Sequence, residues 1–408
     1  MNSVVPLRPQ VSSTNSNKGL LGPEFSWPRF APDEIEAAVR VLSSGKVNYW
    51  TGDEGREFEK EFAGYIGTSH AIAVANGSVA LELALRTFGI GPGDDVITSP
   101  RTFIASASCA IAVGARPVFA DVDRSSQNIT AESIRTVVTP ATKAIIPVHL
   151  AGWPCEMDGI MELARELGLK VIEDCAQAVG ATYKGRPVGS IGNAGSFSFC
   201  QDKIVTTAGE GGMITLDSED GFEQAWSYKD HGKSYDAVYR RDHKPGFRWL
   251  HETFGTNWRL TEIQSAIGRT QLKKLDEWTY MRRTHAAQLS SCFVKLSGLR
   301  VTLPPEYISH SYYKYYVFVR PETLRQDWNR DRILQEISAR GIPCFSGSCS
   351  EVYLEKAFPA DMRPARRLPI ARELGETSLM FLVHPTLKDE HIALTCEVVE
   401  EVMHQATS

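Results

Sequence analysis

Short apolar runs alternate with helical stretches over the first half of the chain, and this rhythm limits the possible folds more than any other feature. The apolar runs are residues 71–75, 96–99, 118–122, 144–148, 171–173 and 196–199. Helical patterns lie between them, for example at residues 78–88, 105–113 and 157–167. Parallel strands need long crossover connections, which are usually helices. The rhythm therefore predicts an α/β domain with parallel strands and crossover helices.

The pattern changes near residue 280. A long amphipathic helix is predicted at residues 261–278, followed by an aromatic strand-like run at 312–319 and helices near 331–340 and 389–404. The later elements indicate a smaller α+β unit, and 408 residues are enough for two domains because single cores stop growing below that length. We expect three parts: a polar, partly mobile lead-in at 1–31, a large α/β domain at 32–280 and a small α+β domain at 281–408.

Charge and composition exclude several classes of protein. The formal net charge is −5 and no long basic run occurs, so binding to nucleic acid or to an anionic membrane is not expected. The sequence contains no apolar stretch of about 18 residues, the length needed to cross a membrane. The N-terminus lacks the apolar core of a secretory signal. Eight cysteines are scattered without a CxxC pair or a zinc-like spacing. We expect no metal site, reduced thiols and a cytoplasmic location.

Several polar groups fall at strand ends, where α/β sheets carry their functional residues. Asp174 closes the strand at 170–174, and Lys203 follows the strand at 196–199 just before a glycine-rich turn. Gly77 and Ser78 belong to a small-residue turn that opens a helix. Each has an ordinary alternative: a turn aspartate, a solvated lysine, or a helix-capping serine without a ligand. Their combination is what indicates a site.

Pyridoxal 5′-phosphate (PLP) requires a set of groups that this combination can provide. It needs an amine to form a Schiff base, and a carboxylate to keep its pyridine nitrogen protonated. Lys203 and Asp174 supply these two groups. The helix N-terminus at Gly77 and Ser78 offers free N–H groups to the phosphate. Phe103, which alone would be interpreted as core, can lie against the ring.

Motifs occur in a fixed order along nearly the whole chain, from about residue 32 to the end. They are residues 76–81, 102–103, 173–177, 196–199, Lys203, 209–212 and 255–259. With these motifs the sequence resembles the DegT/StrS-type aminotransferases, which are PLP enzymes of fold type I that act mostly on nucleotide-linked keto sugars. The resemblance implies a large domain with a mixed, mainly parallel sheet flanked by helices, and a smaller C-terminal α+β domain.

The resemblance also implies roles for individual residues. Lys203 is expected to hold PLP as a Schiff base and to carry the proton between the substrate carbon and the cofactor. Asp174 is expected to bind the pyridinium nitrogen, Gln177 to approach the phenolic oxygen, and Phe103 to stack on the ring.

The cofactor phosphate is expected to have contacts from two subunits. Gly77, Ser78 and Ser198 would bind it within one chain. Asn257 matches a family asparagine that reaches the phosphate of the neighbouring subunit, which implies a homodimer with shared active sites. The usual Ser-Gly-Thr turn starts here with Asn76, and the sequence leaves the function of that asparagine open.

The function implied is transfer of an amino group, with L-glutamate as the expected donor, to a nucleotide-linked keto sugar in amino-sugar and surface-polysaccharide or related biosynthesis. One alternative is a PLP-dependent sugar dehydratase, but that branch of the family has histidine in place of Lys203. The other is a catalytically idle, PLP-binding regulatory protein, which would be expected to lack Lys203 or Asp174. His149 and the segments 229–244 and 344–354 either line the sugar site or are solvated loops.

Overall fold

The computed structural model of the chain describes residues 25–407. Most of the predicted lead-in at residues 1–31 therefore lies outside the described residues. The strands are β1 His70–Val74, β2 Asp95–Thr98, β3 Arg116–Phe119, β4 Thr142–Ile146, β5 Lys170–Asp174, β6 Thr182–Tyr183, β7 Arg186–Pro187, β8 Ala194–Ser198, β9 Gly212–Leu216, β10 Leu299–Arg300, β11 Ile308–Ser309, β12 Tyr315–Val319, β13 Cys344–Phe345 and β14 Ser378–Phe381.

Thirteen α-helices accompany these strands within residues 25–407. They are α1 Pro32–Ser44, α2 Glu54–Ile66, α3 Gly77–Thr87, α4 Ala105–Ala112, α5 Ala131–Arg135, α6 Met157–Leu167, α7 Glu219–Lys229, α8 Tyr235–Tyr239, α9 Glu262–Leu272, α10 Leu275–Phe293, α11 Arg330–Ala339, α12 Pro369–Thr377 and α13 Asp389–Thr407. Among the described residues, no helix is both long enough and apolar enough to span a membrane.

The large sheet has seven strands in the order β1-β9-β8-β5-β4-β2-β3. The pairs from β8 to β3 are parallel, whereas β9 runs antiparallel to both β1 and β8. The sheet is therefore mixed and mainly parallel, which confirms the expected fold class. The apolar rhythm did not reveal β9, because this short strand directly follows the glycine-rich turn and has no crossover helix before it.

Strand β3 begins and ends earlier than the sequence indicates. The strand ends at Phe119 with one further backbone hydrogen bond from Ala120 to Thr98 at 3.1 Å, whereas the prediction ran to residue 122. Ala120 and Val122 are nevertheless buried in the core. Their apolar character reflects packing beyond the end of the strand rather than membership of the sheet.

The predicted helix at 261–278 is wrong as a single element. Helix α9 ends at Leu272 and α10 begins at Leu275. Both helices bury apolar side chains, so the amphipathic pattern continues across the break and does not mark it. The expected domain boundary at 280 falls inside α10, and the division into domains at that residue stays a prediction.

The later part of the chain builds a second sheet of four antiparallel strands in the order β10-β12-β14-β13. Its core includes side chains from α10, α11 and α13. A small third sheet, β11-β6-β7, pairs residues 308–309 with residues 182–183. This pairing ties the later part of the chain to the loop that follows β5, close to the predicted site.

Candidate active site

Asn76 caps helix α3 at the end of β1. Its Oδ1 accepts a hydrogen bond from the backbone N–H of Val79 at 3.1 Å. This gives the unassigned asparagine a function, because a side-chain oxygen at the N-cap satisfies one of the free N–H groups. The N–H groups of Gly77 and Ser78 donate to no acceptor among the described residues. The turn thus presents two free donors and the positive end of the helix dipole, as a phosphate site requires.

Strand β8 packs directly against this turn. A Cβ atom added to Gly77 would lie 2.6 Å from Cβ of Ser198, so only glycine permits the approach. A Cβ atom on Gly212 would similarly lie 2.4 Å from the carbonyl oxygen of Asn76. The structure therefore brings Gly77 and Ser198 together, at the place where the sequence predicted a phosphate cradle.

Asp174 is a buried carboxylate without a cationic partner. Its Oδ2 accepts from the Ser106 hydroxyl at 2.7 Å, and its Oδ1 accepts from the backbone N–H of Ala176 at 3.1 Å. Ser106 in turn is hydrogen-bonded to the Thr102 hydroxyl at 2.7 Å. No lysine, arginine or histidine among residues 25–407 forms an ion pair with Asp174. A buried carboxylate needs a positive partner, and a protonated pyridine nitrogen fits this requirement.

Gln177 is oriented by the backbone of a neighbouring loop. Its Oε1 accepts from the N–H of Ala151 at 2.8 Å, and Ala151 has the left-handed φ of 56°. Because the amide oxygen is occupied, the NH₂ group is the part of the side chain that can donate to a ligand. The approach of Gln177 to the phenolic oxygen stays a prediction, and its NH₂ group is the part that would donate.

Lys203 lies on a loop that is held from two sides. Its carbonyl oxygen accepts from the indole N–H of Trp27 at 2.8 Å, and its own N–H donates to the carbonyl of Cys200 at 3.1 Å. Its Nζ lies 5.0 Å from the centre of the Tyr313 ring. Sequence reasoning missed Trp27 and Tyr313, because both are more than 100 residues away along the chain and carry no local signal.

Asp202, next to Lys203, connects the loop to the second part of the chain. It accepts a hydrogen bond from the Tyr313 hydroxyl and lies 3.8 Å from Nζ of Lys314. Burial raises the pKa of Asp202, but the charge of Lys203 and the bond from Tyr313 outweigh burial and lower the pKa. The carboxylate is therefore ionised at neutral pH and supplies negative charge beside Lys203.

Phe103 and Asn257 are both exposed. Phe103 is 68% exposed, and its position is fixed by the N–H of the preceding Thr102, which donates to the carbonyl of Cys349 at 3.1 Å. This contact also brings segment 344–354 next to the site. Asn257 forms no hydrogen bond with Gly77 or Ser198 among the described residues, so its role stays a prediction.

His149 neither lines a sugar site nor lies in a solvated loop. It is fully buried, and its Nδ1 accepts from the N–H of Cys155 at 2.9 Å, so the proton resides on Nε2. That Nε2–H donates to Glu173 at 3.1 Å. The start of segment 229–244 is also core, since Lys229 is fully buried with Nζ 3.5 Å from Glu59.

Glu173 organises the loop behind the site. It accepts backbone hydrogen bonds from residues 189, 191 and 192 at 2.7 to 2.9 Å as well as the bond from His149. Burial raises the pKa of Glu173, but these bonds outweigh burial and lower it. His149, Glu173 and Cys175 are close enough to hold a metal ion. However, the histidine and the carboxylate are already hydrogen-bonded, and burial raises the pKa of the Cys175 thiol, so the group is a structural cluster.

Replacing Glu173 by glutamine should destabilise the protein strongly. The variant would place an amide NH₂ against backbone N–H donors in a fully buried position. We expect the free energy of unfolding to fall by about 3 kcal/mol, the usual cost of breaking a buried, hydrogen-bonded charge. Urea unfolding measures this change. Glu156→Gln is the matched control, since within the described part of the chain this exposed glutamate accepts only from tyrosine hydroxyls. Equal effects in the two variants would contradict the assignment.

Several known proteins are similar to this chain in sequence and in fold. The model of the DegT/DnrJ/EryC1/StrS aminotransferase family matches residues 28–402. A UDP-N-acetyl-3-dehydro-α-D-glucosamine 3-aminotransferase from Acidithiobacillus ferrooxidans is 36% identical, over 92% of this chain and 96% of its own.

Solved structures of similar proteins have the same fold as this chain. The aminotransferase from Psychrobacter cryohalolentis is 55% identical and superposes with a TM-score of 0.93, over 94% of this chain and 99% of its own. Spr1654 from Streptococcus pneumoniae, solved in a PLP form, is 27% identical with a TM-score of 0.83, over 93% of this chain and 98% of its own.

Proposed function

The chain belongs to the DegT/DnrJ/EryC1/StrS aminotransferase family, and from this premise we propose that it moves an amino group from L-glutamate to a nucleotide-linked keto sugar. The expected PLP dependence and fold type I are confirmed by the family match and by the solved relatives. The observation that carries the proposal is Asp174, a buried carboxylate without a cationic partner among residues 25–407, in one site with a lysine and an open helix N-terminus. The UDP-sugar aminotransferase among the relatives supports the substrate class.

Each residue of the site has a separate role in the proposed reaction. Bound PLP would supply an electron sink for the substrate carbanion and a carbonyl carbon that carries the amino group from one substrate to the other. Asp174 keeps a proton on the pyridine nitrogen, and Ser106 fixes the orientation of that carboxylate. Gln177 donates to the phenolic oxygen through its free NH₂ group. When no substrate is bound, Lys203 would hold the cofactor covalently. While a substrate is bound to the cofactor, the amine of Lys203 would be free to move the proton on and off the substrate carbon.

The phosphate and the ring face involve other groups. We assign the N–H groups of Gly77 and Ser78 and the hydroxyl of Ser198 to the phosphate, because the two elements touch at this point. Phe103 covers one face of the ring.

The two alternatives receive less support. The sugar dehydratase branch of the family, which also resembles this sequence, has histidine where this chain has Lys203. A regulatory protein without activity would have no need to retain both Lys203 and a hydrogen-bonded Asp174. We therefore keep the transaminase as the function.

A homodimer with shared active sites forms part of the proposal. Phe247, Trp249 and Phe254 are 79%, 83% and 100% exposed on the loop that leads to Asn257. Exposed aromatic side chains in such numbers are typical of protein contacts. We infer that a second copy covers this loop and that Asn257 donates to the phosphate in that copy. We propose a cytoplasmic location, because reduced thiols and nucleotide sugars occur together there and the eight cysteines are free.

The absorption spectrum of the purified holoenzyme tests the reaction class. L-Glutamate should convert the spectrum of the lysine-bound cofactor to that of its amine form, and the right keto sugar nucleotide should reverse the change. A panel of UDP-, GDP- and dTDP-linked 3- and 4-keto sugars identifies the acceptor. A spectrum that responds to no amino acid would overturn the proposal.

Mixing two inactive variants tests the shared site. In a heterodimer of Lys203→Ala and Asn257→Ala subunits, one site carries both defects and the other carries neither. Random pairing of equal amounts makes half of the dimers heterodimers, so we expect up to about a quarter of wild-type activity to return. The measurement is transaminase activity after reversible dissociation and mixing.

Each variant put through the same cycle alone is the control, and Asn257→Ala must itself be clearly impaired. Recovery would be absent if Asn257 serves its own chain. That result, with heterodimers shown to form, would refute sharing.

A further inference from the structure

Two lysine side chains lie on the same aromatic ring in the candidate site. Nζ of Lys203 is 5.0 Å from the centre of the Tyr313 ring, and Nζ of Lys314 is 4.7 Å from it. Lys314 stands immediately before β12, and its side chain is 18% exposed. A second, mostly buried ammonium group therefore contacts the same ring as the reactive lysine, and the function described so far does not use it.

Lys314 has no hydrogen-bonded anion within the described part of the chain. Its nearest carboxylate oxygen, on Asp202, is 3.8 Å away and already accepts from the Tyr313 hydroxyl. The titratable or charged groups that face Lys314 are Asp202, Lys203, Arg282, Tyr313 and His384. Burial lowers the pKa of Lys314 to about 8, Asp202 opposes this, and the charges of Arg282 and Lys203 add to it. A buried ammonium that lacks a partner is costly, and a bound anion would complete its surroundings.

Other cations near the site are already engaged. Arg101 donates to the side chains of residues 127, 350 and 378. Arg282 donates through Nη1 to the carbonyls of residues 312 and 313, and although its Nε and Nη2 have no partner among the described residues, the side chain is fully buried. Arg259 pairs with Asp230 at 2.8 Å. Lys314 is thus the one of these four cations that is neither hydrogen-bonded to a side chain nor fully buried, so a ligand can reach it.

We propose that Lys314 binds the α-carboxylate of the amino-acid donor. This inference rests on the proposed transaminase function. The α-carboxylate is bonded to the same carbon whose proton Lys203 moves, so it must lie close to Lys203 during the reaction. The diphosphate of a nucleotide-linked 3- or 4-keto sugar is separated from its reacting carbon by the sugar ring. A cation on the same aromatic ring as Lys203 therefore matches the carboxylate.

The acceptor sugar presents no carboxylate at this position, and Asp202 explains how one site serves both substrates. When the donor product leaves, Lys314 returns to the loose pair with Asp202 at 3.8 Å. Because this pair is longer than a hydrogen bond, an incoming carboxylate displaces little. Lys314 thus discriminates in favour of the donor without penalising the sugar.

Separate measurement of the two half-reactions tests the proposal. In Lys314→Met the apparent dissociation constant for L-glutamate should rise at least about tenfold, the loss of one charge-assisted hydrogen bond. The half-reaction with the keto sugar should change less than about twofold. Lys314→Arg should restore most of the donor affinity, because it keeps the positive charge. Lys274→Met is the matched control, since Lys274 is similarly buried, 23% exposed, but pairs with Asp33 away from the site.

An equilibrium measurement complements the kinetics. Glutarate carries the carboxylates of the donor but no amino group, so it binds without reacting, and calorimetry on the holoenzyme reports its affinity. Burial lowers the pKa of the Lys314 ammonium, so its charge is lost at a lower pH than that of a free lysine, and glutarate affinity should fall as the pH rises through that range. Glutarate is fully ionised throughout that range. In Lys314→Met the affinity should be low and independent of pH.

The outcomes separate the two proposals. Unchanged glutamate and glutarate affinity in a folded Lys314→Met, or a defect confined to the sugar half-reaction, would overturn the role of Lys314. If methionine prevents folding, Lys314→Gln replaces it. If wild type reacts with no amino acid, the proposed function fails, while loss of glutarate binding on substitution still decides the carboxylate site. Another amino acid as donor leaves the test intact, since all share the α-carboxylate.

Discussion

Replacing Lys203 by alanine should abolish both the covalent attachment of PLP and catalysis. Wild-type protein treated with borohydride should keep the cofactor permanently linked to one peptide containing Lys203, and the variant should not. The turnover rate should fall at least about 10³-fold, because covalent and acid–base roles vanish together. Mass spectrometry of the reduced protein and steady-state rates measure the two effects.

Lys314 supplies an internal control for this experiment. Its Nζ lies on the same Tyr313 ring, so it is the described lysine best placed to substitute for Lys203. The carbonyl of residue 203 still accepts from Trp27 in the variant, so the loop should keep its position. Reductive labelling of the Lys203→Ala variant at a single lysine other than Lys314, or of the wild type away from Lys203, would disprove the assignment.

Replacing Asp174 by asparagine should leave PLP bound but slow turnover by roughly two orders of magnitude or more. Asparagine has the shape of aspartate: its single amide oxygen can still accept from the N–H of Ala176, and its NH₂ group can donate to the Ser106 hydroxyl, which can also accept. It cannot hold a proton on the pyridine nitrogen, and losing a buried ion pair costs several kcal/mol. Retained cofactor with a shifted absorption spectrum, together with the reduced turnover rate, is the expected combination.

Ser106→Ala provides the graded comparison. It removes one hydrogen bond at 2.7 Å from Asp174 but leaves the charge, so its effect on turnover should be about tenfold or less. If Asp174→Asn turns over near the wild-type rate, or no more slowly than Ser106→Ala, the pyridinium role is wrong.

Local sequence patterns revealed the elements that carry the phosphate cradle, but not the contacts between them. A glycine turn before a helix indicates free N–H groups, and the structure has them at Gly77 and Ser78. The close approach of Ser198 could not be predicted from the sequence. It depends on Gly77 and Gly212, which are far apart along the chain and leave room for the strands to contact the turn. The antiparallel strand β9, which brings Gly212 there, was missed because it directly follows the glycine-rich turn and has no crossover helix before it.

Polar networks across long sequence separations were also invisible. Asp174 was found because it ends a strand, whereas Ser106 lies 68 residues away in a helix with no distinguishing pattern. His149 shows the opposite error. A histidine after a strand suggests a ligand contact, but its burial against Glu173 makes it structural, and burial is a tertiary property. Periodicity likewise joined α9 to α10 because both bury the same kind of face.

Glu173 and Asp174 are neighbours in β5, and alternation along a strand sends their side chains to opposite faces. Glu173 receives the backbone of the loop at 189–192, and Asp174 faces the site. A saturation mutagenesis screen scored by growth alone would find both positions equally intolerant. Scored in parallel for cellular protein abundance, the same library should separate them: substitutions at Glu173 deplete the protein, and those at Asp174 leave it abundant and inactive. Adjacent intolerant positions in this enzyme thus report different kinds of failure.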